Sequence, residues 1–361
     1  MTTSTDNANP QGDRFAAELL ERSASGFAGY AASVMLEKAP EIKARYQPDA
    51  FGNWKTHLTQ RILELAAAVN TAEPLMFSAR VLWSRKAFLA RGREEDDLVI
   101  SLSALKDVLA DHLPAAASKE PIDYVQRALD TLSEGRPGID ESELDPEQSH
   151  DRMALRYLQG VLEGNAAAAI KEVMAQLDQG MTPMEIYLNV LMPAQREIGR
   201  LWHLGDASIA EEHMVTSSTQ RAMSALALSV EPSAANGKTI LAAAVTGNVH
   251  DIGLRAVADA FQMSGWRTIY LGSDVPAQEL PANLTFFEAD LLLLSATLST
   301  QLPRIRHTIQ SVRERSERPV RILVGGAAFD EAPEVWRKVG ADGYGDSIDG
   351  AVKEGARLVG L

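Results

Sequence analysis

The residues best suited to chemistry lie in the last third of the chain, each after a predicted strand. The loop after the first of these strands carries a histidine, His250, and a neutral imidazole is a good ligand for a transition metal. Hydroxyl side chains after the third strand can hydrogen-bond a polar ligand. Glycines after the fourth strand allow a ligand to lie against the backbone. The candidate residues are Asn248, His250, Asp251, Gly253, Ser295, Thr297, Gly325 and Gly326.

Each of these features has an ordinary explanation when it is taken alone. A loop histidine is more often solvated than a ligand, two glycines after a strand are more often a turn, and a serine at a strand end can cap a helix. Ligands of open parallel sheets, however, bind outside the carboxyl ends of the strands. Because all of the features fall at such ends and in strand order, they predict one shared ligand site.

The elements that must position this site occupy residues 237–361. The predicted strands are KTILAAAV, RTIYLG, ADLLLLSA and VRILVGGAA, followed by a short ADGYGD segment, and helical segments separate them. Regular alternation of strand and helix is typical of a doubly wound parallel sheet. This part of the chain is therefore predicted to form a Rossmann-like domain.

The rest of the chain is predicted to be helical, which makes the fold class multidomain α and α/β. Apolar residues recur at spacings of three and four in 15–115, an all-α domain, and in 151–232, a four-helix bundle that caps the Rossmann-like domain. Residues 116–150 are predicted as a linker with one short helix, because they are rich in Pro, Gly and acidic residues. Residues 1–14 are predicted as a disordered lead-in.

The motifs after the strands resemble those of the cobalamin-binding domains of methionine synthase, mutases and corrinoid proteins. That family carries Asp-x-His-x-x-Gly, then Ser-x-Leu or Ser-x-Thr, then Gly-Gly, and this chain carries the corresponding positions listed above. The resemblance implies that His250 ligates cobalt from below and that Ser295 and Thr297 hydrogen-bond the displaced nucleotide base. One position departs from the family, since its Asp is Asn248 here. A neutral neighbour would make His250 a weaker electron donor.

A second motif lies in the predicted helical cap, where Trp202 is followed after nine residues by Glu212 and His213. It resembles the motif of CarH-type cobalamin photoreceptors. The resemblance implies that Trp202 packs over the adenosyl group of adenosylcobalamin, that Glu212 and His213 shape the same pocket, and that His203 ligates cobalt after light has broken the cobalt–carbon bond. The function expected from it is an adenosylcobalamin-dependent light sensor in which photolysis changes the domain arrangement and the oligomeric or partner state.

The N-terminal helices resemble the globin-like sensor folds of bacterial stress and bilin-binding proteins, and the domain order resembles that of photocobilins, which pair cobalamin with biliverdin. The resemblance suggests a tetrapyrrole site in which His57 or His112 serves haem or a bilin. Apolar and cationic side chains for such a pocket occur together in LMFSARVLWSRKAF. Any bilin would bind non-covalently, because the chain has no cysteine. The pocket candidates are Phe77, Arg80, Trp83, Arg85 and Lys86.

Composition excludes several other functions. The net charge of -14 and the pI of about 5.0 argue against a nucleic-acid partner, and no apolar run approaches the roughly 20 residues that span a bilayer. A cytoplasmic homo-oligomer with a downstream signalling partner is expected. No catalytic acid–base pair or nucleophile stands out, so the chain is not predicted to be an enzyme. Two alternatives stay open, a corrinoid shuttle of a methyltransferase system and a cobalamin-responsive antirepressor that binds a transcription factor.

Overall fold

The computed structural model describes residues 10–134, 142–231, 233–332 and 334–361. The chain divides into two compact units. The predicted disordered lead-in lies outside the described residues as far as Asn9, and a helix begins at Pro10. The first unit consists of Met1–Gly138, Leu298–Pro303 and Ala328–Val339, and the second of Ile139–Thr297, Arg304–Ala327 and Gly340–Leu361.

The N-terminal part of the first unit is helical, as predicted. Small residues on the first helix, among them Ala24, Ala28 and Ala31, are buried and let it lie close against the third. The third helix buries an apolar stripe that includes Leu58 and Ile62, which is the pattern of a helix with one face in a core. The helices are α1 (Pro10–Lys38), α2 (Pro40–Arg45), α3 (Ala50–Thr71), α4 (Pro74–Ala90), α5 (Glu95–His112) and α6 (Ala115–Ser133).

Helix α6 lies where the sequence predicted a linker with one short helix. It is 19 residues long and contains Pro121. The segment was predicted as a linker because it is rich in Pro, Gly and acidic residues, and a proline inside a helix does remove one backbone hydrogen bond. Pro121, Val125, Ala128 and Leu132 are nevertheless buried along one face, and this burial offsets the lost bond. Residues 135–141 of the predicted linker lie outside the described residues.

The second unit begins with the helices that the sequence predicted as a cap. Two of them begin at capping boxes, Thr182 with Glu185 and Ser208 with Glu211, which satisfy free backbone N–H groups. The helices are α7 (Ser149–Leu162), α8 (Ala166–Asp178), α9 (Pro183–Ile186), a π-helical segment (Tyr187–Leu191), α10 (Met192–Leu204) and α11 (Ile209–Leu228). We refer to these residues, 149–228, as the helical cap.

A five-stranded parallel sheet follows the helical cap, in the order β2-β1-β3-β4-β5. This is a doubly wound order, in which the strand order reverses between the adjacent strands β1 and β3. It confirms the predicted Rossmann-like fold. β1 and β3 are buried along their whole length, as expected for parallel strands covered on both faces. The strands are β1 (Thr239–Val245), β2 (Arg267–Val275), β3 (Leu291–Ser295), β4 (Arg321–Gly325) and β5 (Gly343–Gly345).

Helices cover the sheet and join its core to that of the helical cap. Ala256 and Ala260 of one sheet helix pack in the same cluster as Tyr187 and Met223 of the cap. On another, a Cβ at Gly355 would lie 2.6 Å from the Phe261 ring, so only glycine allows that helix to approach so closely. The helices of this part of the chain are α12 (Ile252–Met263), α13 (Leu280–Phe286), α14 (Leu302–Arg315), α15 (Val335–Lys338) and α16 (Ile348–Val359).

Among the helices of the described ranges, none is long and apolar enough to cross a membrane.

Candidate functional site

The carboxyl ends of β1, β3 and β4 bring the predicted site residues to one edge of the sheet. Ala244 of β1 pairs with Ser295 of β3, and Ser295 pairs with Gly325 of β4. The loop with His250 therefore begins beside the strand ends that carry the serine and the glycines. The in-order spacing of the motifs predicted this juxtaposition correctly.

Asn248 fixes the start of the loop that leads to His250. Its side chain is fully buried; Nδ2 donates to the Ser295 carbonyl at 3.2 Å, and Oδ1 accepts the backbone N–H of His250 at 3.2 Å. Both polar ends of this amide are thus used on backbone groups. A carboxylate at this position could not donate to Ser295, which gives a physical reason for asparagine here.

The same loop is also bonded to the end of β2. The backbone N–H of Gly247 donates to Asp274 Oδ1 at 2.6 Å, and the N–H of Asp274 donates to the Asn248 carbonyl at 3.0 Å. Gly247 has φ of 78°, and a Cβ there would lie 2.0 Å from Arg304 Nη1. The turn therefore requires glycine. Asp274 and Arg304 were missed at the sequence level, because nothing in their spacing links them to the loop.

The imidazole of His250 lies at the surface. Within the described residues, no hydrogen bond or ion pair of its ring is recorded, and the bond of His250 to Asn248 uses the backbone N–H. The neighbouring carboxylate of Asp251 is engaged elsewhere, since it accepts from Tyr270 at 2.9 Å and from Gln220 at 3.5 Å. A solvent-facing imidazole on a fixed loop can serve as a metal ligand.

The two glycines Gly253 and Gly326 differ in their surroundings. A Cβ at Gly253 would meet nothing within 4 Å, so packing within the chain does not explain the glycine. Gly326 has φ of 102°, and a Cβ there would lie 2.3 Å from the Ala296 carbonyl and 3.2 Å from Ser295 Oγ. One imidazole nitrogen, a serine hydroxyl, the open position of Gly253 and the close backbone approach at Gly326 fit a metal ion that brings most of its own ligands, as that of the predicted corrinoid does.

Trp202 and His203, which are adjacent residues of the helical cap, differ in their exposure to solvent. Trp202, in the last turn of α10, is 39% exposed, whereas His203 is only 6% exposed. A buried His203 would have to turn outward to reach a metal ion. Its role as upper cobalt ligand stays a prediction, and it requires such a movement.

Glu212 and His213 are hydrogen-bonded to each other on α11. His213 Nδ1 lies 2.7 Å from Glu212 Oε2, and Glu212 Oε1 accepts from Thr216 at 2.7 Å. Thr216 Oγ1 also lies 3.2 Å from Gln195 Oε1. The motif search missed Thr216 and Gln195, although Thr216 lies one helical turn after Glu212. These four residues form a polar surface on the helical cap that a ligand bound beneath the cap can contact.

The predicted tetrapyrrole pocket on α4 does not form as one pocket. Phe77 and Arg85 are buried in the first unit, and Arg85 forms an ion pair with Glu95 at 2.7 Å. Trp83 is 38% exposed, with the guanidinium of Arg80 4.7 Å from its ring centre. These side chains point to different sides of the helix because their spacing does not follow one helical face. Lys86 is half-buried, and His112 is exposed with its ring against Tyr30.

A different set of polar groups lies along the facing sides of α3 and α4. His57 is half-buried between the rings of Trp54 and Phe88, and burial, with the charges of Arg61 and Arg93, lowers its pKa to about 3. Several buried side-chain atoms of this region have no hydrogen-bond partner among the described residues. They are Trp54 Nε1, His57 Nε2, Arg61 Nε, Glu64 Oε2, Ser78 Oγ, Arg80 Nε and Glu331 Oε2. Buried polar groups are usually bonded, so this set is a candidate ligand site.

Known proteins similar to this chain are corrinoid proteins. One B12 binding domain model matches residues 238–353 and a second matches residues 154–227. Dimethylamine corrinoid protein 1 of Methanosarcina acetivorans is 30% identical over 196 residues, which are 53% of this chain and 89% of that protein. A corrinoid protein of Desulfitobacterium hafniense is 24% identical over 213 residues, which are 56% of this chain and 95% of that protein.

A solved structure shows the same fold. The monomethylamine corrinoid protein of Methanosarcina barkeri superimposes with a TM-score of 0.52 at 19% identity and covers 58% of this chain and 100% of that one. The combination of helices and a Rossmann-like sheet is therefore an arrangement that other proteins share.

The prediction of an adenosylcobalamin-dependent light sensor is wrong. The relatives that this chain matches are corrinoid proteins, and they favour the alternative, a corrinoid shuttle. The light-dependent homo-oligomer and the signalling partner were parts of the light-sensor interpretation and are not retained. The adenosyl form and biliverdin find no support in these relatives.

Proposed function

Because the chain belongs to the B12-binding corrinoid protein family, we propose that it is a corrinoid carrier of a methyltransferase system. The observation that carries this proposal is the exposed imidazole of His250 on a loop fixed by Asn248, three residues before Gly253, where a Cβ would meet nothing within 4 Å. The chemistry that a bound corrinoid supplies is the acceptance and release of a methyl group at its metal ion. The enzymes in this proposal are the partners that deliver and remove the methyl group.

The residues of the sheet edge would hold the lower side of the corrinoid. His250 would supply the axial nitrogen, and the two bonds of Asn248 keep the backbone of His250 in place. Ser295 and Thr297 would hydrogen-bond the displaced base, and Gly253, Gly325 and Gly326 would give the nucleotide tail room along the backbone. The hydroxyl of Ser295 beside Gly326 supports this assignment.

Residues of the helical cap would control access to the upper side. The half-exposed indole of Trp202 and the hydrogen-bonded pair of Glu212 and His213 are the candidates. A carrier must let two different partners reach its reacting face, so the indole would shield the metal ion only between encounters. A methyl group is the upper ligand that this function requires, and it is smaller than the adenosyl group expected from the sequence.

Ligand selection tests the proposal. The full chain is titrated with methylcobalamin and with adenosylcobalamin in the dark, and the loaded protein is sedimented before and after green light. A carrier should bind methylcobalamin at least as tightly as adenosylcobalamin, and its sedimentation should not depend on light. Selective binding of adenosylcobalamin together with a light-dependent change of mass would contradict the carrier function.

The N-terminal helices support a second candidate function, ligand binding between α3 and α4. The supporting observation is the set of buried, unbonded polar atoms described above, in which Arg61 and Arg80 each keep an Nε–H group without an acceptor. Such groups suit the carboxylates of a ligand, and the aromatic side chains of Trp54 and Phe88 make the region beside them apolar. An open-chain tetrapyrrole such as biliverdin, bound without a covalent bond, has this chemistry.

Addition of biliverdin to the purified chain tests this second function. A red-shifted band that survives gel filtration is expected, and His57→Phe should weaken it. His112→Phe, which changes an exposed histidine of the same unit, is the matched control and should leave the band unchanged. A band that washes away, or one that both variants keep, would reject this site.

A further inference from the structure

Asp251, the residue after His250, is bonded to two different parts of the second unit. Tyr270 of β2 donates to Asp251 Oδ2 at 2.9 Å, and Gln220 of α11 donates to Oδ1 at 3.5 Å. One oxygen of the carboxylate is thus held by the sheet and the other by the helical cap. The side chain lies at the start of α12, directly after the loop that carries the candidate metal ligand.

A second hydrogen bond joins α11 and α12 one turn further along both helices. Arg255 Nη2 donates to Ser224 Oγ at 3.0 Å. Ser224 follows Gln220 by four residues, and Arg255 follows Asp251 by four, so both pairs lie on facing sides of the two helices. The two helices are therefore hydrogen-bonded over successive turns and not at a single point.

The next turn of α12 continues the pattern. The hydroxyl of Tyr187 lies 2.9 Å from Asp259 Oδ2 and 3.0 Å from the Met223 carbonyl, and Arg255 Nε lies 3.8 Å from the same Asp259 oxygen. Tyr187 is fully buried, and burial raises the pKa of both Asp259 and Tyr187. Groups that water cannot reach lose more when their partner leaves than exposed groups do.

We propose that Asp251 is a positioning residue that couples the helical cap to the loop of His250. Helix α12 is bonded to α11 at two successive turns and to Tyr187 of the π-helical segment at the third. The loop enters the first turn of α12 at Asp251, so a shift of the cap must move α12 or break these bonds. In a carrier, opening of the helical cap would in this way shift the loop of His250, the proposed metal ligand. The proposal rests on the proposed function only for the role of His250 as the metal ligand.

Hydrogen exchange of the cofactor-free full chain tests the coupling directly. Gln220→Ala removes the bond from the cap to Asp251, and amide exchange in residues 246–254 should then rise roughly two- to tenfold, the effect of losing one hydrogen bond. Gln176→Ala is the matched control, because the amide of Gln176 bonds to its own helix in the cap, at the Glu172 carbonyl. Faster exchange in α11 alone, with 246–254 unchanged, would overturn the proposal.

A thermodynamic cycle supplies a second readout. Tyr270→Phe removes the other donor to Asp251 and keeps the ring, and hydroxocobalamin affinity is measured for both single variants and for the double variant with Gln220→Ala. The losses of hydroxocobalamin affinity in the two single variants should not add up in the double variant, since both substitutions act through the carboxylate of Asp251. Additive losses would overturn the role of Asp251 as the residue that couples the helical cap to the loop. The exchange experiment uses no cofactor, so it tests the coupling independently of the carrier function. If exchange in residues 246–254 rises in Gln220→Ala but the chain does not bind hydroxocobalamin, the carrier function alone is refuted.

Discussion

Asn248, in the loop that follows β1, donates from Nδ2 to the carbonyl of Ser295 at the end of the neighbouring strand β3, at 3.2 Å. Its Oδ1 meanwhile accepts the backbone N–H of His250. Asn248→Asp should therefore destabilise the fold, because a carboxylate cannot donate to Ser295 and would bury a charge against a carbonyl oxygen. We expect a loss of about 1–3 kcal/mol in the free energy of unfolding, measured by urea denaturation.

Asn283→Asp is the matched control for this substitution. Asn283 on α13 also donates from Nδ2 to a backbone carbonyl, that of Glu279, but at a position that is only partly buried. Its replacement should change the free energy of unfolding by less than about 0.5 kcal/mol. Equal effects of the two substitutions would show that burial of Asn248 between the strands does not matter.

Gly253 should separate cofactor binding from folding. A Cβ there meets nothing within 4 Å, so Gly253→Leu should leave stability equal or raise it by about 0.5–1 kcal/mol, since glycine is a poor helix residue. The side chain would nevertheless enter the space beside His250, and hydroxocobalamin affinity should fall at least about tenfold, a loss of about 1.4 kcal/mol. Gly26→Leu, at an equally open helical glycine of α1, should leave the affinity unchanged. Unchanged affinity in Gly253→Leu would place the cofactor elsewhere.

His57 should make the protein sensitive to acid. Its pKa falls from 6.5 to about 3 in the folded protein, so below pH 6.5 the unfolded chain binds a proton that the folded chain does not. Stability should then drop as the pH falls from 6.5 toward 3, by up to about 1.4 kcal/mol per pH unit for this one group. In melting curves at a series of pH values, His57→Gln should flatten this decline and His112→Gln, at an exposed residue, should not. An identical decline in the parent and in His57→Gln would mean that His57 is protonated in the fold.

Trp202 should limit access to the upper side of the cofactor without supporting the fold. Its side chain is 39% exposed, so Trp202→Ala should change the free energy of unfolding by less than about 1 kcal/mol. Exchange of the upper ligand of bound hydroxocobalamin for cyanide, followed by absorption, should become faster. Trp83→Ala, at a tryptophan of similar exposure in the first unit, is the control. Equal exchange rates in the parent and in both variants would remove Trp202 from the upper face.

The parts of the fold that repeat a local pattern could be predicted from the sequence. Buried strands such as β1 and β3 are continuous apolar runs, and the parallel topology then places His250, Ser295 and Gly326 at one edge. Side-chain direction could not be predicted, because it depends on partners far along the chain. Tyr270 is one such partner, since it draws Asp251 away from the ring of His250.

The same reason explains the errors in the helical regions. The sequence places Trp202 and His203 side by side, but only packing decides that one faces solvent and the other the interior. Pro, Gly and acidic residues suggested a linker, and only the burial of the α6 stripe shows why the helix continues. The resemblance of the Trp202 and Glu212 motif to that of photoreceptors suggested a light sensor. The prediction was wrong because such a short motif does not by itself specify what a bound cofactor is used for.

In the proposed function, this chain holds a corrinoid through the imidazole of His250. Electron paramagnetic resonance of the chain loaded with cob(II)alamin tests it, because the axial nitrogen splits the cobalt signal. In protein that carries nitrogen-15 only in its histidines, the triplet splitting of nitrogen-14 should become a doublet, and His250→Ala should abolish the doublet. A triplet that is unchanged by the label would show that the nucleotide base of the cofactor is still the ligand and would contradict the claim.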